Sequence, residues 1–130
     1  MNGGVRLLLD VADMPSLMQK ADMAIIVGGG TLWELLYTGC AVLSYSRNSL
    51  QAAVLGKLAS MGILRYLGDV RKFHGPALIS EIRQIASDYT VRKRMAGAGR
   101  RLIDGRGTQR IVKRLVAVPQ RRHPAVNFCL

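Results

Sequence analysis

Three successive glycines, Gly28, Gly29 and Gly30, are followed by Thr31 and, one helical turn on, by Glu34. Residue types in that order can hold an anion without any cationic side chain. Glycines let a backbone approach a ligand closely, the free N–H groups that open a helix donate to it, and the positive end of the helix dipole favours negative charge. A phosphate suits such a turn, and Glu34 would then stand near a ribose. On these residues alone a purely structural reading is the plainer one. The glycines can supply positive φ or let a helix pack close to a strand, and Glu34, too late for a capping box with Gly30, can be a solvated helix carboxylate. Two familiar phosphate devices are excluded: the spacing is not the dinucleotide fingerprint, and no Lys-Ser/Thr pair follows for a P-loop.

Such a turn needs a strand to deliver it and a helix to follow. The apolar run Met23–Val27 predicts the strand, and 31–37 the helix, ended by Gly39 in a position suited to a left-handed cap. Ahead of them, 5–9 reads as a strand and Met14–Lys20 as a short helix, with Asp13 as N-cap, Pro15 in the first turn, and Met14, Leu17, Met18 and Ala21 on one face. Behind them, 41–45 reads as a strand. Asn48 or Ser49 then caps a helix whose apolar positions are Leu50, Val54, Leu58 and Met61, stopping at Gly62 before a short strand at 64–67. Three helices follow: 77–87 with Leu78, Ile79, Ile82, Ile85 and Ala86 inward, 90–103 with Val91, Met95, Ala98 and Leu102, and 108–118 with Ile111, Val112, Leu115 and Val116. From Pro119 to residue 130 the chain reads as a loose basic tail. Strands that are continuous apolar runs are buried on both faces, which predicts a parallel sheet covered by helices. The expected fold is therefore α/β, a Rossmann-like parallel sheet with flanking helices in one domain over 1–118.

Residues 21–34, then Gly39, the strand 41–45 and Asn48, resemble the nucleotide-binding half of the two-domain GT-B glycosyltransferase fold. Within that fold they are most similar to the UDP-sugar hydrolases of pseudaminic acid synthesis and their spore-coat polysaccharide relatives, themselves similar to the membrane-associated N-acetylglucosaminyltransferase of peptidoglycan synthesis. A second stretch, Arg101-Leu102-Ile103-Asp104-Gly105-Arg106-Gly107-Thr108-Gln109-Arg110-Ile111-Val112, resembles the IDGxGxxRV closing motif of the hydrolase branch. Two separated motifs in the right order are more specific than either alone, and the resemblance spans about 10–116.

The resemblance implies a UDP-sugar as partner and no further cofactor or metal. It implies that Gly28, Gly29 and Gly30 approach the diphosphate, that Thr31 adds a hydroxyl contact or caps the helix, that Glu34 accepts from the ribose, and that Asn48 and Gln51 touch the sugar or β-phosphate. The chain departs from the family in having Ser49 after Asn48, where Gln is usual, and Gly30-Thr31 where Ser-Thr is usual. The family also places a strand and helix ahead of the position of Val5, and a whole preceding domain that carries the catalytic histidine of a Gly-His motif. His74 and His123 match no such motif, so no catalytic residue is assigned. The expectation is thus a GT-B-like C-terminal domain truncated at its N-terminal side, partnered by a missing N-terminal domain or by a second copy. Its implied activity is UDP-sugar hydrolysis; glycosyl transfer, or binding without catalysis, is the alternative. Asp104, Gly105 and Arg110 read as structural, with Asp104 bonding the turn of Gly105 and Gly107 or pairing with Arg110.

A chain of 130 residues, 49% apolar, is enough for one core. No apolar run approaches the ~18 residues of a membrane span, and the first residues lack the features of a signal peptide. Cys40 and Cys129 lack metal-ligand spacing and the two histidines are isolated, so a reduced, metal-free, cytoplasmic chain is expected, with Cys40 as a small core residue. Charge is uneven: 1–70 hold five Lys/Arg against five Asp/Glu, and 71–130 hold fourteen against three, so the net +11 lies in the second half. A basic face could attract RNA, an anionic membrane surface or a phosphorylated substrate. Aromatic content of 5% and the lack of a recognisable signature speak against specific nucleic-acid binding. Solvated helix faces with a basic tail are the plainer reading, and peripheral membrane contact through the basic helices stays open.

Overall fold

The computed structural model describes residues 4–117, so the expected tail at 119–130 lies outside the described residues. The elements run α1 (Met14–Lys20), β1 (Met23–Val27), α2 (Gly30–Thr38), β2 (Ala41–Ser46), α3 (Ser49–Ser60), β3 (Leu64–Asp69), a 3-10 turn (Val70–Lys72), α4 (Gly75–Ser87), α5 (Tyr89–Leu102) and α6 (Gly107–Ala117). Local chemistry sets most boundaries. The carboxylate of Asp13 accepts from the Ser16 N–H at 3.1 Å, the side-chain Oδ1 of Asn48 from the Gln51 N–H at 2.9 Å and the carboxylate of Asp88 from the Val91 N–H at 2.9 Å, each satisfying a donor that an uncapped helix leaves unpaired. Gly39 ends α2 at φ 79°, in the left-handed region, and its N–H returns to the carbonyls of Leu35 and Leu36.

The three strands form a parallel sheet in the order β1-β2-β3, the centre of a Rossmann-like α/β domain. Val27 lies opposite Tyr45, so the turns leaving β1 and β2 emerge at the same end of the sheet. Between β2 and β3 the register slips at Ser44/Tyr45, where Gly68 takes φ 97° to absorb the irregularity. One layer of the core sets Met18, Leu32, Leu35, Leu36, Leu55 and Leu58 against Val42 and Leu64; the other sets Ile85 and Met95 against Ala41 and Leu43. The end of the central strand holds the buried Ser46, whose hydroxyl pairs with the Tyr66 hydroxyl at 2.8 Å. Cys40 is buried as expected, and burial, with the charge of Asp22 second, pushes its thiol up to about 11. It is therefore protonated and unreactive at neutral pH.

Four sequence-based expectations need correction. Residues 5–9 form no strand and are exposed throughout, Val5 fully so; a strand exists only with a ladder partner, and none among the described residues pairs with them. Burial on both faces holds for β2, whose six residues are all buried, but not for β1 and β3, because in a three-stranded sheet both are edges. Of the apolar positions named for α3, Leu58 is buried, with Leu55, whereas Leu50 and Val54 near its start and Met61, its C-cap, are exposed. Finally, Ile111, Val112, Leu115 and Val116 of α6 do not face inward but are all exposed, and so are Ile79 and Ala86 of α4 and Leu102 of α5. No helix among the described residues is long and apolar enough to cross a membrane.

Among the described residues, the unpaired edge of β1, the apolar segment 5–9 and the exposed apolar face of α6 together leave much apolar surface in water. The chain is accordingly expected to self-associate as salt rises, since the +11 charge that keeps copies apart is screened over about 8 Å at physiological ionic strength. Sedimentation at low and moderate salt checks this, and a compact monomer under both conditions would refute it.

Candidate functional site

The end of the sheet where β1 and β2 release the chain gathers most of the residues singled out from the sequence. Gly28 continues the ladder, its N–H donating to the Tyr45 carbonyl at 2.8 Å. Gly29 is the N-cap of α2, and Gly30 and Thr31 are its first residues. None of the three glycines has a φ in the left-handed region, Gly29 being extended at φ 168°, so the turn does not use the freedom that would require glycine. Crowding separates them instead. A Cβ on Gly28 would stand 3.2 Å from Leu55 Cδ1 and 3.7 Å from the Gln51 amide carbon, so Gly28 is glycine for close packing of β1 on α3. A Cβ on Gly29 or Gly30 would meet nothing within 4 Å. Space beside the backbone is open there, and α2 begins without a side-chain cap. Thr31, exposed and inside the helix, is not the cap.

Asn48 and Gln51 are tied to the backbone. Besides the Asn48 cap, Gln51 donates from Nε2 to the Gly28 carbonyl at 2.6 Å and accepts at Oε1 from the Arg47 N–H at 2.8 Å. One side chain thereby staples the turn after β1 to the turn after β2. Glu34 stands exposed on α2, one helical turn from the glycines, with no hydrogen bond or ion pair among the described residues.

Beside the glycines is a cavity of about 180 Å³ between the first turns of α2 and α3. Its rim is Gly28, Gly29 and Gln51, its floor Leu32 and Leu55, and its walls Trp33, Leu50 and Val54. Sequence reasoning missed those walls. The available signal was Trp33 itself, a large aromatic within the glycine motif, together with Leu50 and Val54, which were named only for their helical spacing.

The second motif lies at the other end of α2. Asp104 accepts from the Arg106 N–H at 3.0 Å and pairs with the Arg110 guanidinium, so both structural roles read from the sequence are filled at once. These bonds, the backbone one first, hold its carboxyl below the usual range. Gly105, at φ 71°, turns the chain over the Tyr37 ring, 2.9 Å from where a Cβ would sit. Arg100 donates to the Thr38 carbonyl at 2.7 Å, capping the C-terminus of α2. The two motifs are therefore separated by the length of α2, about 13 Å for nine residues. Arg100, Arg106 and Arg110 serve the end away from the glycine turn. Among the described residues no group of His, Cys, Asp and Glu side chains is placed to hold a metal ion.

No protein-family model matches the chain, and no solved structure matches it. Over 99 residues, 76% of its length, the chain is 34% identical to the spore coat polysaccharide biosynthesis protein SpsG of Bacillus subtilis (strain 168), and that stretch spans 29% of the Bacillus protein. The chain is thus similar to a protein of polysaccharide biosynthesis.

Proposed function

We propose that this chain is the nucleotide-sugar-binding portion of an enzyme of cell-surface glycan synthesis, with a UDP-sugar held at the glycine turn. The observation that carries the reading is the bare backbone at Gly29 and Gly30, where neither a left-handed φ nor crowding accounts for glycine and no side chain among the described residues caps the helix. The diphosphate would accept from the N–H groups that open α2, and Glu34 would accept from the ribose hydroxyls. Similarity to a protein of spore coat polysaccharide biosynthesis supports a sugar as the group carried. The closing motif supports hydrolysis of a UDP-sugar within a GT-B-type enzyme, with glycosyl transfer as the second reading. The buried free thiol of Cys40 suits a reducing, cytoplasmic setting.

Calorimetric titration with UDP and ADP tests the site. UDP is expected to bind more tightly than ADP, and Glu34→Ala to weaken UDP by about 1–3 kcal/mol. Equal affinity for the two nucleotides, or none for UDP, would count against the site; an unchanged Glu34→Ala would return that carboxylate to the solvated helix face. The chain is not expected to release UDP from a UDP-sugar above background, because the turn offers one wall of positioned donors and catalysis needs groups held around the reacting atoms. Release by the parent that Glu34→Ala abolishes would overturn this.

A further inference from the structure

We infer that the cavity between α5 and the amino end of β3 binds a phosphate monoester carried on an apolar body, held by Arg65, Arg94 and Arg101. The inference does not depend on the nucleotide reading of the glycine turn. That turn follows the carboxyl end of β1, whereas Leu64, the first residue of β3, lines this cavity, and parallel pairing puts the two at opposite ends of the sheet. At about 640 Å³ the cavity falls within the ~300–1,000 Å³ of pockets that enclose whole ligands.

Three guanidiniums line it. Other arginines of the second half serve the fold: Arg92 donates to the Ile85 carbonyl, Arg100 to the Thr38 carbonyl, and Arg110 pairs with Asp104. Arg94 and Arg101 have no ion pair among the described residues. Arg65 is held at one nitrogen, with Glu81 of α4 lying 3.2 Å from its Nε, so the outer N–H groups of its fork remain as donors. The helix α5 sets the other two on one face, seven residues and about 10.5 Å apart along its axis. Gly97 and Ala98 stand between them. Arg101 reaches back over Gly97, its Nη1 3.4 Å from where a Cβ would sit, which is the direction of Arg94. A phosphate between the two would accept from both forks and from Arg65 on β3.

Charge and lining select the ligand. Three guanidiniums against the one carboxylate of Glu81 leave two positive charges. A phosphate monoester, at about −1.5 to −2 near neutral pH, balances them, whereas a carboxylate or a phosphodiester does so only by half. Met61, Tyr66 and Met95 line the same cavity with apolar surface that a bare phosphate would not cover.

Phenyl phosphate, inorganic phosphate and benzoate are titrated against the full chain by calorimetry at physiological ionic strength. Phosphatidylcholine vesicles with and without phosphatidic acid are tested by co-sedimentation. Phenyl phosphate is expected to bind about tenfold more tightly than either inorganic phosphate or benzoate. Arg94→Gln and Arg101→Gln, both at exposed positions, should each weaken it about tenfold. Lys93→Gln removes the same charge from α5 at an exposed residue that does not line the cavity, and should cost at most about twofold. Binding of phenyl phosphate identifies a free phosphate ester as the source. Sedimentation only with phosphatidic acid, lost in both arginine variants, identifies a lipid headgroup, and either result supports the site. Binding in neither assay, inorganic phosphate or benzoate binding as tightly as phenyl phosphate, or a loss in Lys93→Gln equal to that in the arginine variants would each overturn it, the last by showing only the general attraction of a basic surface.

Discussion

Leu36→Ala is expected to lower the free energy of unfolding by about 2–5 kcal/mol, the cost of deleting buried methyl groups and leaving a cavity. Leu36 is wholly buried in α2, and α5 crosses it at Gly99, where a Cβ would stand 3.1 Å from Leu36 Cδ2 and 3.2 Å from the Leu36 carbonyl oxygen. Helices in contact backbone to side chain in this way have little freedom to close over a void. Small domains have only about 5–15 kcal/mol in total, so the variant should show a much lower urea midpoint with an unchanged slope. A loss below about 1 kcal/mol would show instead that α2 and α5 collapse onto the space. Because α2 carries the glycine turn at one end and Arg100 grips the other, binding in this variant must be read under conditions where it is folded.

Gly28→Val and Gly30→Ala are expected to act in opposite ways, although the residues are two apart. Valine at position 28 places carbon within 3.2 Å of Leu55 Cδ1, in the packed layer between β1 and α3, and should destabilise by about 1–3 kcal/mol. It should also loosen the Gln51 bond to the Gly28 carbonyl. Alanine at position 30 meets no neighbour, enters a helical residue without positive φ, and should stabilise the fold by about 0.4–1 kcal/mol. Its methyl would nevertheless stand where a diphosphate approaches the N–H groups, so UDP affinity should fall. Thermal melts and calorimetry on the same two variants separate the effects. Gly30→Ala that is more stable and binds UDP as well as the parent would remove the argument that open space at this glycine serves a ligand.

Much of the architecture was legible because it depends on groups within four residues of one another. Met23–Val27 is bounded as the apolar run predicts, and Asp13, Asn48 and Gly39 cap the helices as their side chains or their freedom at positive φ allow. Asp104 likewise turns and pairs within its own motif. Less of the candidate site was readable. The sequence places Gly28 to Glu34 on a strand, turn and helix, but it could not say that Gln51 bonds Gly28 rather than a ligand, because that contact spans 23 residues and exists only when β1 and β2 lie side by side.

What the sequence by itself determined is therefore the order of elements, most of their ends, the α/β class and the strand, turn and helix around the three glycines, since propensity, capping and periodicity are local. Only the tertiary structure decided which faces are covered. Residues 5–9 have strand composition but no neighbour to bond, α6 has an apolar stripe but nothing packed on it among the described residues, and Leu50 and Val54 keep helical spacing yet wall an open cavity. Periodicity reports that a face is apolar. Whether water, a core or a ligand meets that face depends on where the sheet ends, and that is a property of the assembled strands.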